Sequence, residues 1–252
     1  MSARYQEHRP AAELRARVAC YWTLAGENVR AHRVLPDGCM DVLFDFAAGT
    51  ATIVGTMTTA LVVPDAARVD YLGARFRPGE AFALLGVRAD EATDTALAFD
   101  GGFARSLADE LASARRDERI AILDRRLAQL RARPADARVR RAVARIFSSP
   151  AEARVASLAG EVGASERHLE RIFRERVGVA PKDLVRVARL RTLVDRARTS
   201  LRPRWAELAQ GAGWSDQAHM IRDVKRLAGV TPAKLMSDSF NASAEPSATT
   251  RA

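Results

Sequence analysis

Two strips of mostly polar side chains in the C-terminal part of the chain are the groups best suited to do chemistry. The first holds Glu166, Arg167, Glu170, Arg171 and Arg174, and the second Gln217, Ala218, Ile221, Arg222 and Lys225. On a helix, residues three and four apart share a face, and each strip lies opposite an apolar one. Leu169, Ile172, Phe173 and Val177 form the first apolar strip, and Met220, Val224 and Leu227 the second. Hydroxyl or carboxylate caps open the two helices, Ser165 in one and Ser215 or Asp216 in the other. Guanidinium, amide and hydroxyl groups on such faces suit base edges and phosphate oxygens. Other candidate chemistry is weaker. Cys39, near His32, Asp37 and Asp41, reads as a small buried strand residue rather than a metal or thiol-sensing site. His168 and His219 occupy corresponding positions without a partner at ligand spacing, so packing or phosphate contact is preferred to metal binding.

The strips sit in an internal repeat. Leu158-Ala159-Gly160-Glu161-Val162-Gly163 corresponds to Leu208-Ala209-Gln210-Gly211-Ala212-Gly213, and one residue is inserted in the second copy before the registers resume through Gly178-Val179 and Gly229-Val230. Each copy reads as a short helix, a turn at Gly163 or Gly213 with positive φ, and a second helix. Trp214 is expected as an anchor beneath the second of these helices. Pro181 opens a linking helix to about Ala197, with Leu184, Val187, Leu190 and Val194 near one side. Such a spacer can hold two recognition helices about 34 Å apart, the separation of successive major grooves on one side of a duplex.

Charge agrees with this division. Residues 1–135 carry 18 Arg and 18 acidic residues, whereas 136–240 carry 21 basic against 12 acidic, which is the whole net charge of +9. A basic segment beside a neutral one fits a nucleic-acid-binding domain joined to a partner domain. Upstream, Asp41–Phe46, Thr52–Val54, Leu61–Val63 and Val69–Phe76 read as strands, followed by a turn at Arg77-Pro78-Gly79-Glu80 and a helix to Leu85. Phe103–Ala114 and Arg116–Arg131 read as helices, the second with Ile120, Leu123, Leu127 and Leu130 on one stripe and its arginines on a solvated face. Arg133-Pro134-Ala135 marks the boundary. The expected class is α+β: a mixed β-rich domain at 1–135 for sensing or dimerisation, an all-α domain at 136–240 with two helix-turn-helix units, and a disordered tail at 241–252. No apolar run approaches the roughly 18 residues of a membrane span, and a polar start and two cysteines fit a cytoplasmic protein.

The two-copy region, about Arg138 to Phe240, resembles the DNA-binding domain of the AraC/XylS family of bacterial transcription regulators. The likeness rests on Leu158-Ala159, Ser165, His168-Leu169, Arg171 and Phe173, then on Gly213-Trp214-Ser215-Asp216-Gln217 through Lys225-Arg226 and Gly229-Val230-Thr231-Pro232. It implies that Arg167, Glu170 and Arg171, and Gln217, Ala218, His219, Ile221 and Arg222, face DNA. With the capping serines and the remaining exposed residues, the candidate DNA-binding set is Ser165, Glu166, Arg167, Glu170, Arg171, Arg174, Ser215, Gln217, Ala218, His219, Ile221, Arg222 and Lys225. Met220 and Val224 stand where many members have Phe, and Glu170 where Gln is common. Val34–Asp41 and Gly73–Gly79 resemble an uncharacterised sensor-type domain found ahead of such regions. The expected partners are promoter or operator DNA, RNA polymerase, a small-molecule effector and a second protomer, with no cofactor, metal or membrane. An enzyme of the DNA-repair alkyl-transferase kind is disfavoured, because neither Cys20 nor Cys39 stands in a Pro-Cys-His-Arg context. A purely architectural protein, in which residues 1–135 only join protomers, is the other alternative.

Overall fold

The computed structural model describes residues 4–200, 203–238 and 240–241. The chain begins with β1 (Arg4–His8), β2 (Val18–Val29), β3 (His32–Val34), β4 (Met40–Asp45), β5 (Thr50–Val54), β6 (Leu61–Val63) and β7 (Ala66–Phe76). Next come α1 (Ala81–Leu85), α2 (Ala89–Ala92), β8 (Ala96–Ala98), α3 (Gly102–Ser113) and α4 (Arg119–Ala128). The rest is α5 (Ala137–Ser148), α6 (Val155–Glu161), α7 (Glu166–Val177), α8 (Pro181–Arg198), α9 (Trp205–Gly211), α10 (Gln217–Ala228) and α11 (Pro232–Ser237), closed by β9 (Phe240–Asn241). The class is α+β, a β-rich part followed by a helical one. The tail expected to be disordered lies, past Asn241, outside the described residues.

Six strands form one sheet in the order β1-β2-β7-β4-β5-β8, every neighbouring pair antiparallel. The alternation along β4 buries Met40, Val42 and Phe44 on one face. That face packs, with Leu72 and Ala74, against Leu107 and Leu111 of α3 and Leu123 and Leu127 of α4. The sequence pattern places the arginines before Pro134 on a solvated face, but not all of them are solvated. Arg119 lies 3.5 Å from the centre of the Phe46 ring and pairs with Asp70, while Arg126 pairs with Glu110. These contacts tie α4 to the sheet and to α3. The helix is also shorter than its apolar stripe indicates, running from Arg119 to Ala128. The opposite face of the sheet looks across a cavity to a small sheet ordered β6-β3-β9.

The linking helix α8 is buried on more than the one side its sequence indicated. Leu184, Val185 and Ala188 enter the core of the first helix-turn-helix unit, and Val187, Leu190, Leu193 and Val194 enter that of the second. Both units press on it, so its apolar residues run around the barrel of the helix. Several contacts join the β-rich and helical parts, two of them through buried side chains. Glu80, 3% exposed, accepts two bonds from Arg140 at 2.5 and 2.8 Å, and Leu35 inserts into the core around α10. Among the described residues no helix is long and apolar enough to cross a membrane.

Candidate nucleic-acid interface

In the first unit, α6 runs into a turn in which Gly163 takes φ 65°. The Ser165 hydroxyl then accepts from the His168 amide at 3.2 Å and caps α7. Burial of Leu169, Ile172, Phe173 and Val177 fixes the roll of that helix. Glu166, Arg167, Glu170, Arg171 and Arg174 are left exposed. Among the described residues, Glu170 and Arg174 form no ion pair with each other, although they stand four positions apart on the helix. Arg171 reaches Glu175 at 3.4 Å and His168 Nδ1 at 3.4 Å, while Arg138 approaches His168 Nε2 at 3.0 Å. A neutral imidazole has one acceptor nitrogen, so it can satisfy only one of these arginines at a time.

The second unit repeats the plan with a different cap. Asp216, not Ser215, accepts from the His219 amide, at 2.7 Å, and Ser215 Oγ instead contacts Asp216 and the His219 ring. That backbone bond, followed by the Ser215 hydroxyl, holds the Asp216 carboxyl below the usual carboxylate range. Trp214 is buried and its indole donates to Asp223 at 2.9 Å, beneath α10 as expected. Gln217, Ala218, Arg222 and Lys225 are exposed, whereas His219 and Ile221 are half-buried. Gly213 has φ 94°, and a Cβ there would lie 2.4 Å from the Ala151 Cα. The turn of the second unit therefore packs backbone against backbone on the loop before α6, which fixes one unit against the other.

Between the units runs a concave surface lined by Arg154, Lys182, Arg186 and Arg189 with Glu166, Glu170, Ser215 and His219. Burial, and then the neighbouring charges of Arg154 and Arg186, lower the Arg189 pKa, with Asp223 opposing. Cations crowded in this way favour an incoming anion. The four basic residues escaped the sequence reading, although Lys182, Arg186 and Arg189 follow helical spacing along α8. A second concavity brings Ser165, Arg167, Glu170, Arg171 and Arg174 beside Arg88 and Asp90 of the β-rich part, which are paired at 2.7 Å.

The β-rich part also holds the far ends of both polar helices. Thr56 Oγ1 donates to Val177 O at 2.6 Å, and Thr93 Oγ1 donates to Gly178 O at 2.8 Å, at the end of α7. Ala60 N donates to Leu227 O at 2.7 Å, and Arg33 Nη1 donates to Ala228 O at 2.8 Å, at the end of α10. The last carbonyls of a helix lack partners within it, and here another part of the chain supplies them. Nothing in the sequence pattern marks these contacts, because their acceptors are backbone atoms.

Comparison with known proteins matches residues 158–238 to a family described as a helix-turn-helix domain, and residues 6–98 to a domain of unknown function, DUF6597. No curated protein matches. Among solved structures, the C-terminal domain of AraT, a response regulator from Geobacillus stearothermophilus, is 20% identical, with 44% of this chain and 93% of that one covered and a TM-score of 0.38. A transcriptional regulator from Chromobacterium violaceum, described by its AraC-type DNA-binding domain, is 20% identical over 40% of this chain and 89% of that one, with a TM-score of 0.37. ToxT from Vibrio cholerae bound to (E)-4-(8-methylnaphthalen-1-yl)but-3-enoic acid is 9% identical over 94% of this chain and 99% of that one, with a TM-score of 0.46.

Proposed function

We propose that the chain, with a helix-turn-helix domain behind a DUF6597 domain, is a DNA-binding transcription regulator of the AraC type that lays α7 and α10 into successive major grooves of one duplex. The observation that carries this reading is the rigid pairing of two capped helices with exposed polar faces, joined by α8 and by the close approach of Gly213 to Ala151. Arg167, Glu170 and Arg171 of α7, and Gln217, Ala218 and Arg222 of α10, are the base-reading side chains in this account. Ser165, Glu166, Ser215, His219 and Ile221 border them, with Arg174 and Lys225 on phosphate. The strand between the two grooves crosses Arg154, Lys182, Arg186 and Arg189, whose crowded charges it neutralises.

In this reading residues 136–240 are the DNA-binding domain of a cytoplasmic protein, and residues 1–135 govern it in response to a small molecule. Direct contact between the β-rich part and the ends of both α7 and α10 supports control from that side. Catalysis has no part in it. Burial pushes the Cys20 thiol up to about 12 and the Cys39 thiol well above its ordinary value, which disfavours the nucleophilic thiolate. Selection of duplexes from a random pool by the full-length chain tests the reading. It should return a site with two conserved blocks centred about one helical turn apart, with affinity falling linearly against the logarithm of salt concentration. A single short block, or salt-insensitive binding, would sink it.

A further inference from the structure

The sheet face opposite the main core borders a cavity of about 230 Å³, closed on its other side by β3 and β6. Its walls are largely apolar and aromatic, including Trp22, Tyr71, Leu43, Val54 and Met57. One end is polar. There Arg75, 9% exposed, has Nε 3.3 Å from Asp41 and 3.5 Å from Asp37, and Nη1 3.9 Å from Glu7. Three carboxylates surround one guanidinium, and the buried Nη1 has no hydrogen-bond partner. A buried donor left unsatisfied is costly and calls for an explanation.

The charge around Arg75 sorts the possible ligands. A carboxylate or phosphate would add a negative charge beside Glu7, Asp37 and Asp41, and an ammonium group would be set beside the Arg75 guanidinium. An uncharged tip that both accepts and donates, such as a hydroxyl or an amide, can serve Nη1 and a carboxylate together. The aromatic walls suit a flat apolar body.

The same strands carry the contacts to the DNA-reading helices. In β3, His32 and Val34 line the cavity, and Arg33 between them holds the end of α10. In β6, Leu61 and Val63 line it, and Ala60 just ahead holds the preceding carbonyl of α10. Gly55 and Met57 line it, and Thr56 between them holds the end of α7. Strand β6 has three residues, lies at a sheet edge and leaves Leu61 51% exposed, so it is the wall least held in place.

We propose that this cavity is a binding site for a small, uncharged, mostly aromatic molecule with a hydroxyl or amide tip directed at Arg75 and its acids, and that occupancy shifts β3 and β6 and thereby the placement of α10 relative to α7. The coupling half of this proposal rests on the reading of α7 and α10 as the helices that contact DNA; the binding half does not.

Three probes with one ring system and different charge test it: indole-3-ethanol, indole-3-acetate and tryptamine, each titrated calorimetrically into the full-length chain. Indole-3-ethanol should bind at least tenfold more tightly than either charged analogue, and Val54→Phe, which fills the cavity, should remove that binding. Saturating indole-3-ethanol should change affinity for the selected duplex at least about fivefold, the lower range of allosteric coupling. Arg33→Ala should keep probe binding and lose most of that change. Binding of indole-3-acetate as tight as that of the alcohol, no binding of any probe at millimolar concentration, or binding unaffected by Val54→Phe would overturn the site assignment. Probe binding with unchanged DNA affinity in the wild type would overturn the coupling. If Arg171→Ala and Arg222→Ala both leave DNA affinity intact while the probe still binds, the DNA reading has failed and the site assignment stands.

Discussion

If α7 faces DNA as proposed, Glu170 is the residue whose presence on it most needs a reason. Its charge repels phosphate, and in the structure it forms no ion pair with Arg174 that would account for it as surface stabilisation. A carboxylate can accept from the exocyclic amine of cytosine, whereas glutamine pairs in bidentate fashion with adenine. Glu170→Gln should therefore alter the selected motif at one base position, with discrimination of about 1–3 kcal/mol. An unchanged motif bound more tightly throughout would show that Glu170 reads nothing. Lys182 and Arg189 should behave in the opposite way. Lys182→Ala and Arg189→Gln should weaken all sequences alike, each lowering the salt slope by roughly one phosphate contact. Arg189 also donates to Pro150 O, so Lys182 gives the cleaner measurement.

At the scale of elements, the two turns differ in a way that can be measured. Gly163 has positive φ with open space around its missing Cβ, while Gly213 has positive φ and the Ala151 backbone against it. Gly163→Ala should cost about 1–2 kcal/mol of left-handed strain in thermal or denaturant unfolding. Gly213→Ala should cost more and should also alter the preferred spacing of the two DNA blocks, because the second unit must move. Equal costs with unchanged spacing would mean that this packing does not set the geometry. The cap of α10 adds a pH dependence. A folded pKa held below the ordinary Asp value contributes stability present above about pH 4 and lost as pH falls through the folded pKa. Asp216→Asn keeps an acceptor without the titration, so it should remove that portion of the acid-induced fall in melting temperature. Sequence reading served these helices well, since caps, turn glycines and apolar stripes are all local signals. It served β4 as a short apolar run and β7 through partial alternation, but it missed β1, whose residues Arg4 to His8 are all polar or aromatic and whose pairing with β2 is a long-range fact. It also read α8 as one-sided, because a stripe seen from one unit does not reveal a second unit packed on the other side.

At the scale of the molecule, the β-rich part supplies hydrogen bonds to the last carbonyls of α7 and α10, and in the proposed reading these join the spacing of the two helices to the state of that part. Thr56→Val removes a donor from Val177 O while leaving the DNA-facing residues untouched. It should change DNA affinity without changing the selected motif, as measured by titration of the same duplex. A loss confined to particular bases would place Thr56 in the reading surface instead. In the proposed arrangement one chain spans two successive grooves. Hydroxyl-radical footprinting of the full-length protein on its selected duplex tests this most directly, with Arg171→Ala and Arg222→Ala alongside the wild type. Protection should extend over about two helical turns per protomer, eroded at one end by the first substitution and at the other by the second. Protection of a single turn, or the same uniform loss from both substitutions, would contradict it.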